Sequence, residues 1–358
     1  MNAPFNHARG QVGQADLGDA QERMRIDAFL AEQPGATPFH RPEWLLAVAR
    51  GTGNPALALV AEQDNQLCAY LPLTETHSPL FGRMLAASGF AVGGGLLLSE
   101  GIDAGTMFGA LEELAARRSV TTIELRGGAL PQARAGWSLR GDAHCGFVAP
   151  LAADDEALLL AVPRKQRAEL RKSLDAELDV TVGAADSDRR AHYGVYAESV
   201  RNLGTPVFPR ALFDAVLDAF GADADILTIR SAGRPVASVL SLYHRGAVLP
   251  YWGGGTHAAR RLRANDRMYF ELMRHARRRG CDRFDFGRSK TGSGPYHFKR
   301  NWGFTPEPLT YAVWTAPGAP ARDANPNSAG NSALAALWRR LPLAIANHLG
   351  PPIARGLG

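Results

Sequence analysis

Side chains able to do chemistry are densest in Phe284-Asp-Phe-Gly-Arg-Ser-Lys-Thr-Gly-Ser-Gly-Pro-Tyr-His-Phe-Lys-Arg-Asn-Trp-Gly303. A strand pattern runs into a glycine and serine loop, and an aromatic, basic stretch follows; loops at strand ends are where binding groups gather. Lys299 stands between Phe298 and Trp302, whose rings are expected to hold the ammonium and exclude water. A cation fixed in a dry site stabilises the oxyanion of an acyl transfer, and losing one such donor raises a barrier by about 3 to 4 kcal/mol. The same spacing also suits an ordinary lysine whose stem lies over rings while its charge stays in water. Asp285, Tyr296 and His297 are able to move protons, and Arg288 and Trp302 are candidates for substrate contact. Asp285-Phe-Gly287 has no HRD segment or kinase glycine loop beside it, and Gly287 to Gly294 lacks a GK[ST] ending, so neither kinase nor ATPase chemistry is indicated.

Three further groups qualify. Arg164, Arg167 and Arg171 recur at helical spacing on one face, where guanidinium forks match phosphate oxygens. Tyr251 and Trp252 precede Gly253-Gly-Gly255, offering rings beside open backbone, or equally the core end of a strand. Arg201 and Asn265 complete the candidates for substrate contact. The ten histidines are scattered without metal-ligand spacing, and no G-x-S-x-G elbow accompanies a serine, so neither a metal nor a covalent nucleophile is expected.

The elements that must position these residues repeat. Leu57–Ala61 and Leu67–Leu73 flank Asp64-Asn65, and Ile226–Ile229 and Pro235–Leu242 flank Ala232-Gly233-Arg234: two hairpins. Each is followed by a glycine triplet, a helix-period segment (106–118 or 260–279) and a short strand (121–125 or 283–286). Helical stretches precede each hairpin: 22–32 and 42–50, then 164–178, 189–203 and 210–220. The fold expected is therefore mixed α/β: two tandem lobes, each a mostly antiparallel sheet flanked by helices. With 358 residues, 46% of them hydrophobic, the chain is long enough for two cores. The expected organisation is a disordered leader over 1–20, lobes over 21–152 and 153–314, a flexible linker over 315–332 and an amphipathic tail over 333–358.

The balance is basic, with a formal charge of +5, and the arginine clusters point to an anionic partner. Cys68, Cys145 and Cys281 form no CxxC pair, which fits a reducing, cytoplasmic setting. No apolar stretch approaches the roughly 18 to 20 residues of a membrane span. The tail offers two outcomes: packing on a lobe, or contact with the inner face of a membrane through Trp338 and its arginines.

Pro163–Arg167, Tyr193–Arg201, Tyr251-Trp-Gly-Gly254, Asn265–Tyr269, Phe284–Gly287 and above all Tyr296-His-Phe-Lys-Arg-Asn-Trp-Gly303 resemble the Fem-type transferases, in particular the FemAB-related branch associated with exosortase (PEP-CTERM) and exopolysaccharide systems. The resemblance covers roughly Arg23 to Val313. It implies two lobes of the GNAT acyltransferase fold and transfer of an acyl or aminoacyl group to an amine of a cell-envelope or exopolysaccharide precursor. It also implies a functional role for Lys299 near the acyl group or a substrate phosphate, with Arg164, Arg167 and Arg201 on phosphates. The donor is expected as a co-substrate, either aminoacyl-tRNA, with charged tRNA a partner, or acyl-CoA, and no cofactor stays bound. Two departures keep the donor open: no coiled-coil arm for tRNA is evident, and the turn that holds the CoA diphosphate reads His257–Asn265 without a glycine. An acetyl-CoA-dependent N-acyltransferase on an amino sugar and a non-catalytic module for an anionic glycan or nucleic acid remain as alternatives.

Overall fold

The structure is a computed structural model that describes residues 11–78, 82–320, 322 and 329–357. The chain divides into two units. The first takes residues up to Gly141 together with Thr310–Asn325 and Pro352–Gly358; the second takes Asp142–Leu309 and Pro326–Pro351.

In the first unit the order is β1 (Gln11–Gln14), α1 (Ala20–Glu32), α2 (Pro42–Thr52), β2 (Ala56–Gln63), β3 (Gln66–Ser78), β4 (Gly82–Ala87), β5 (Leu97–Leu98), α3 (Ala104–Arg117) and β6 (Thr122–Arg126). Asp64 and Asn65 both take positive φ, the geometry a two-residue hairpin loop demands, and this sets the register of β2 on β3. Strands β1 to β4 pair antiparallel in sequence order; α3 then crosses over and β6 returns parallel to β4. Asp103 caps α3 by accepting from the Gly105 N–H. Buried Leu71, Leu85, Leu111, Leu114 and Ile123 join helix to sheet.

The second unit contains β7 from residue 142 on (Trp137–Gly146 in full), β8 (Val148–Pro150), α4 (Asp155–Ala161), α5 (Arg164–Leu174), β9 (Asp179–Gly183), α6 (Asp186–Leu203), α7 (Arg210–Phe220), β10 (Ala224–Ser231), β11 (Arg234–His244), β12 (Ala247–Gly255), α8 (His257–Leu262), α9 (Ala264–Arg278), β13 (Arg283–Asp285), β14 (Ser289–Lys290) and α10 (Gly294–Asn301). Its sheet runs β8-β13-β12-β11-β10-β9, antiparallel except where β13 returns parallel to β12 after the helical crossover. Hairpin, third strand, crossover helix and parallel strand thus occur in both units, as the repeat predicts.

Three boundaries differ from the sequence reading. Gln11–Gln14 is not leader but an edge strand on β2, with Val12 fully buried; residues 1–10 lie outside the described residues. The strand beyond each parallel pair comes from a distant stretch: residues 311–315 of β15 (Glu307–Thr315) lie antiparallel to β6, and β8 lies antiparallel to β13. Neither unit is therefore the contiguous lobe expected over 21–152 or 153–314. The expected linker ends early, because α11 (Ala329–Trp338) begins within it, and α12 (Leu343–Ala354) follows Pro342. Residues 321 and 323–328 of that linker lie outside the described residues.

Candidate active site

In the second unit β12 and β13 start as a parallel pair, but among the described residues their pairing stops after Ala247 opposite Arg283 and Val248 opposite Phe284. β12 continues to Gly255, and Tyr251 forms a bulge there: Leu240 faces Trp252 while Ser241 faces Pro250. Such a bulge bends the strand and leaves its extra residue out of the ladder. Beyond Val248 and Phe284 the two strands therefore part, with no further residue of β12 paired to β13 among the described residues. Two glycines at the end of β12 admit close neighbours, since a Cβ on Gly254 would strike Ser199 of α6 and one on Gly255 would strike Asn265 of α9.

Asp285 ends β13 and accepts the Gly287 N–H at 2.8 Å. Burial pushes its carboxyl above the ordinary carboxylate value and Glu307 adds to this; the Gly287 N–H, Lys299 and Arg283 pull it back. Lys299 of α10 is buried, at 8% exposure, and its ammonium donates to the carbonyls of Phe286 (2.6 Å), Gly287 (3.2 Å) and Arg288 (3.0 Å). Burial lowers its pKa to about 8, while Asp285 favours the charged form. The rings facing the ammonium are Phe147 at 5.3 Å and Phe286 at 5.5 Å, not the expected Phe298 and Trp302. An ammonium has three N–H donors, and here each meets a backbone carbonyl. The expected free donor for an oxyanion is thus not met; the charge instead ties α10 to the turn that leaves β13.

Tyr296 packs edge-on to Phe147 at 5.6 Å, and Tyr269 of α9 packs on Phe286 at 4.7 Å and Phe298 at 5.6 Å. Ser293 caps α10 by accepting from the Tyr296 N–H, with Pro295 in the first turn. Lys299 thus lies near Asp285 and on the Arg288 carbonyl, and it shares the Phe147 ring with Tyr296.

The other candidates lie elsewhere in the unit. Trp302 is buried and donates to Asp266 (3.2 Å). Trp252 is a core residue, 4.7 Å from Phe213 and 6.4 Å from Phe208, so the substrate-binding expectation for it gives way to packing; Tyr251 remains partly exposed at the bulge. Arg167 spends its guanidinium on the carbonyls of Val162 and Leu160, which removes it from the expected clamp and leaves Arg164 and Arg171 exposed. Arg201, at the end of α6, donates to the Arg339 carbonyl at 3.2 Å. The Asn265 side-chain oxygen is buried beside Gly255 without a hydrogen-bond partner.

Asp266 was not anticipated. An acid in the first turn of a helix ordinarily reads as a partner of the helix dipole, and only the fold shows that this one is buried, accepting from Gln166 (2.6 Å) as well as Trp302. Burial raises its pKa from 3.8 to about 6. A carboxyl with a raised folded pKa adds stability below its unfolded value, and that contribution is lost as pH rises through the folded one. Between pH 3.8 and about 6 the second unit should therefore lose on the order of 3 kcal/mol from this group. Asp266→Asn should flatten the fall, as read from thermal midpoints against pH; an unchanged slope would contradict the assignment.

At the start of the crossover a cavity of about 570 Å³ is lined by Glu198, Arg234, His257, Arg260 and Arg261. The first helical N–H, that of His257, is already taken by Glu198 at 2.8 Å. Among the described residues Arg234, Arg260 and Arg261 form no ion pair. No group of three His, Cys, Asp or Glu side chains among the described residues is placed to hold a metal ion.

Residues 163–300 match the model of an acetyltransferase (GNAT) domain. The whole chain is similar in fold to the crystal structure of FemX, at 14% identity and TM-score 0.61, covering 89% of this chain and 98% of that one. It is also similar to L-PGS from Bacillus licheniformis, at 13% identity and TM-score 0.52 with 90% and 96% covered. A tandem GNAT protein from the clavulanic acid biosynthesis pathway matches at 15% identity and TM-score 0.52, with 85% and 95% covered. No curated protein matches the chain. The architecture is accordingly that of two mixed sheets flanked by helices, similar to tandem GNAT folds.

Proposed function

We propose that this protein is an acyl or aminoacyl transferase whose chemistry lies where β12 and β13 part, in the second unit. The observation that carries the reading is that, among the described residues, the pairing ends after Val248 and Phe284, with a bulge on one edge and a half-buried, partly desolvated carboxylate, Asp285, on the other. Backbone amides held along a strand edge are fixed donors that need no reorganisation when a carbonyl oxygen gains charge. In the proposed reaction the acceptor amine attacks the donor carbonyl carbon and a C–N bond forms. Asp285 takes the amine proton, and the C–O or C–S bond to the carrier breaks, the carrier leaving with a proton. Lys299 is a positioning residue here: it holds the carbonyls of residues 286–288 and so fixes the wall opposite β12. Asn265, beside Gly255 at the end of β12, remains a candidate for substrate contact, and Tyr296 a candidate for proton transfer.

The acceptor class we favour is an amine on an anionic, small or lipid-linked precursor of the cell envelope or an exopolysaccharide, following the resemblance to the Fem-related, PEP-CTERM-associated branch. Such a precursor would be met on the cytoplasmic side of a membrane, with either charged tRNA or acyl-CoA as the donor. The test is a transfer assay pairing charged tRNA or acyl-CoA with diphosphate-linked amino-sugar acceptors; amide product supports the reading, and absence of product with every pairing rejects it.

The arginine-lined cavity at the start of α8 favours a second donor, acyl-CoA, whose diphosphate suits Arg234, Arg260 and Arg261. Calorimetric titration with acetyl-CoA should then give micromolar binding, weakened by at least about tenfold in the Arg260→Ala, Arg261→Ala variant. No heat with acetyl-CoA would leave aminoacyl-tRNA as the donor.

A further inference from the structure

The C-terminal helices leave a face uncovered. Among the described residues, five of the eleven exposed large hydrophobic side chains come from α11, α12 and the adjoining end of α6: Leu334 at 63%, Leu337 at 60%, Leu203 at 57%, Ile345 at 46% and Leu349 at 44%. Leu334 and Leu337, like Ile345 and Leu349, sit at the spacing that gives one helical face. The end of α6 meets α11 and the residue after it: a Cβ on Gly204 would lie 2.7 Å from the Ala335 carbonyl, and Arg201 donates to the Arg339 carbonyl. Leu203 is therefore the residue next to this contact with α11.

Charge selects what covers this face. From residue 324 to the end the chain has no Asp or Glu, while it carries Arg339, Arg340, Arg355 and His348. Arg339 and Arg340 are exposed and, among the described residues, form no ion pair. A symmetric contact with a second copy would bring this acid-free, arginine-bearing surface against itself. At 10 and 12 residues the helices are far too short to span a bilayer, and no helix among the described residues is long and apolar enough to do so. Short helices with leucines outward and arginines beside them suit the headgroup boundary, where apolar side chains enter the acyl region and guanidinium groups meet phosphate.

We infer that the face formed by Leu203, Leu334, Leu337, Arg339 and Arg340 docks on a bilayer bearing anionic phospholipids. The docking is independent of which group the second unit transfers, so it survives or falls separately from the transferase reading.

The test is cosedimentation of the full chain with vesicles of phosphatidylcholine alone and of phosphatidylcholine mixed with phosphatidylglycerol. Binding is expected to the mixed vesicles, to fall as salt is raised, and to weaken by roughly tenfold or more in Arg339→Gln, Arg340→Gln and in Leu334→Gln, Leu337→Gln. These side chains are exposed, so the thermal midpoint should not move. The inference is overturned if the wild type does not sediment with either vesicle, or if it binds both lipids equally and the variants change nothing. It is also overturned by a concentration-dependent dimer that the leucine variant abolishes in the absence of vesicle binding, which would make a second copy the occupant.

Discussion

Asp285→Asn is expected to lower kcat by roughly 100-fold or more, within the range that one positioned proton acceptor contributes, while the fold persists. The substitution is nearly isosteric, and an amide oxygen can still accept the Gly287 N–H that the carboxylate accepts now. It also removes a half-buried group whose charged form is disfavoured by desolvation, so the thermal midpoint should hold or rise. The sign in pH follows from the raised folded pKa: wild-type activity should fall on acidification at a pH above the ordinary carboxylate value of 3.8, as the base becomes protonated. The variant should lack that acid limb. Steady-state rates across pH, with the donor that supports turnover, decide the matter; wild-type rates in the variant would remove Asp285 from the chemistry.

The second large effect is on Lys299. Lys299→Met keeps most of the stem but leaves the carbonyls of Phe286, Gly287 and Arg288 without their donor, inside a buried site. A buried acceptor left unsatisfied costs about 1 to 3 kcal/mol. Allowing for partial rehydration, a loss of about 3 kcal/mol and a fall of roughly 10 °C in thermal midpoint are expected for a unit of this size. Turnover should fall with it, because the wall after Asp285 loosens. In the wild type the ammonium is charged below about pH 8 and loses its proton above, so an alkaline limb near that value should vanish in the variant. A pure oxyanion donor predicts the opposite pairing, with activity abolished and the midpoint unmoved. Melting curves and rates measured together therefore separate the two roles.

What the sequence made legible was local. The hairpin turns could be read because Asp64-Asn65 and Ala232-Gly233 supply the positive φ that such loops require. The crossover helices followed from their apolar period. The strands that complete each sheet could not be read as such: β8 and residues 311–315 join partners far away in the chain, and pairing across such distance leaves no local signature. The same limit governs Lys299. Its neighbours Phe298 and Trp302 were visible as a bracket, but the groups beneath it, Phe147 and the 286–288 carbonyls, come from other elements. Arg167 shows the complementary case, where correct helical spacing said nothing of the carbonyls of Leu160 and Val162 waiting beside it.

Hydrogen exchange of the full chain with and without donor tests the central claim most directly, using acetyl-CoA and an aminoacyl-nucleoside analogue in turn. If the opening between β12 and β13 receives the acyl group, one of the two donors should slow exchange at residues 249–255 and 285–288 of the second unit. Protection confined to the first unit, or no protection in either segment with a donor that is turned over, would contradict it.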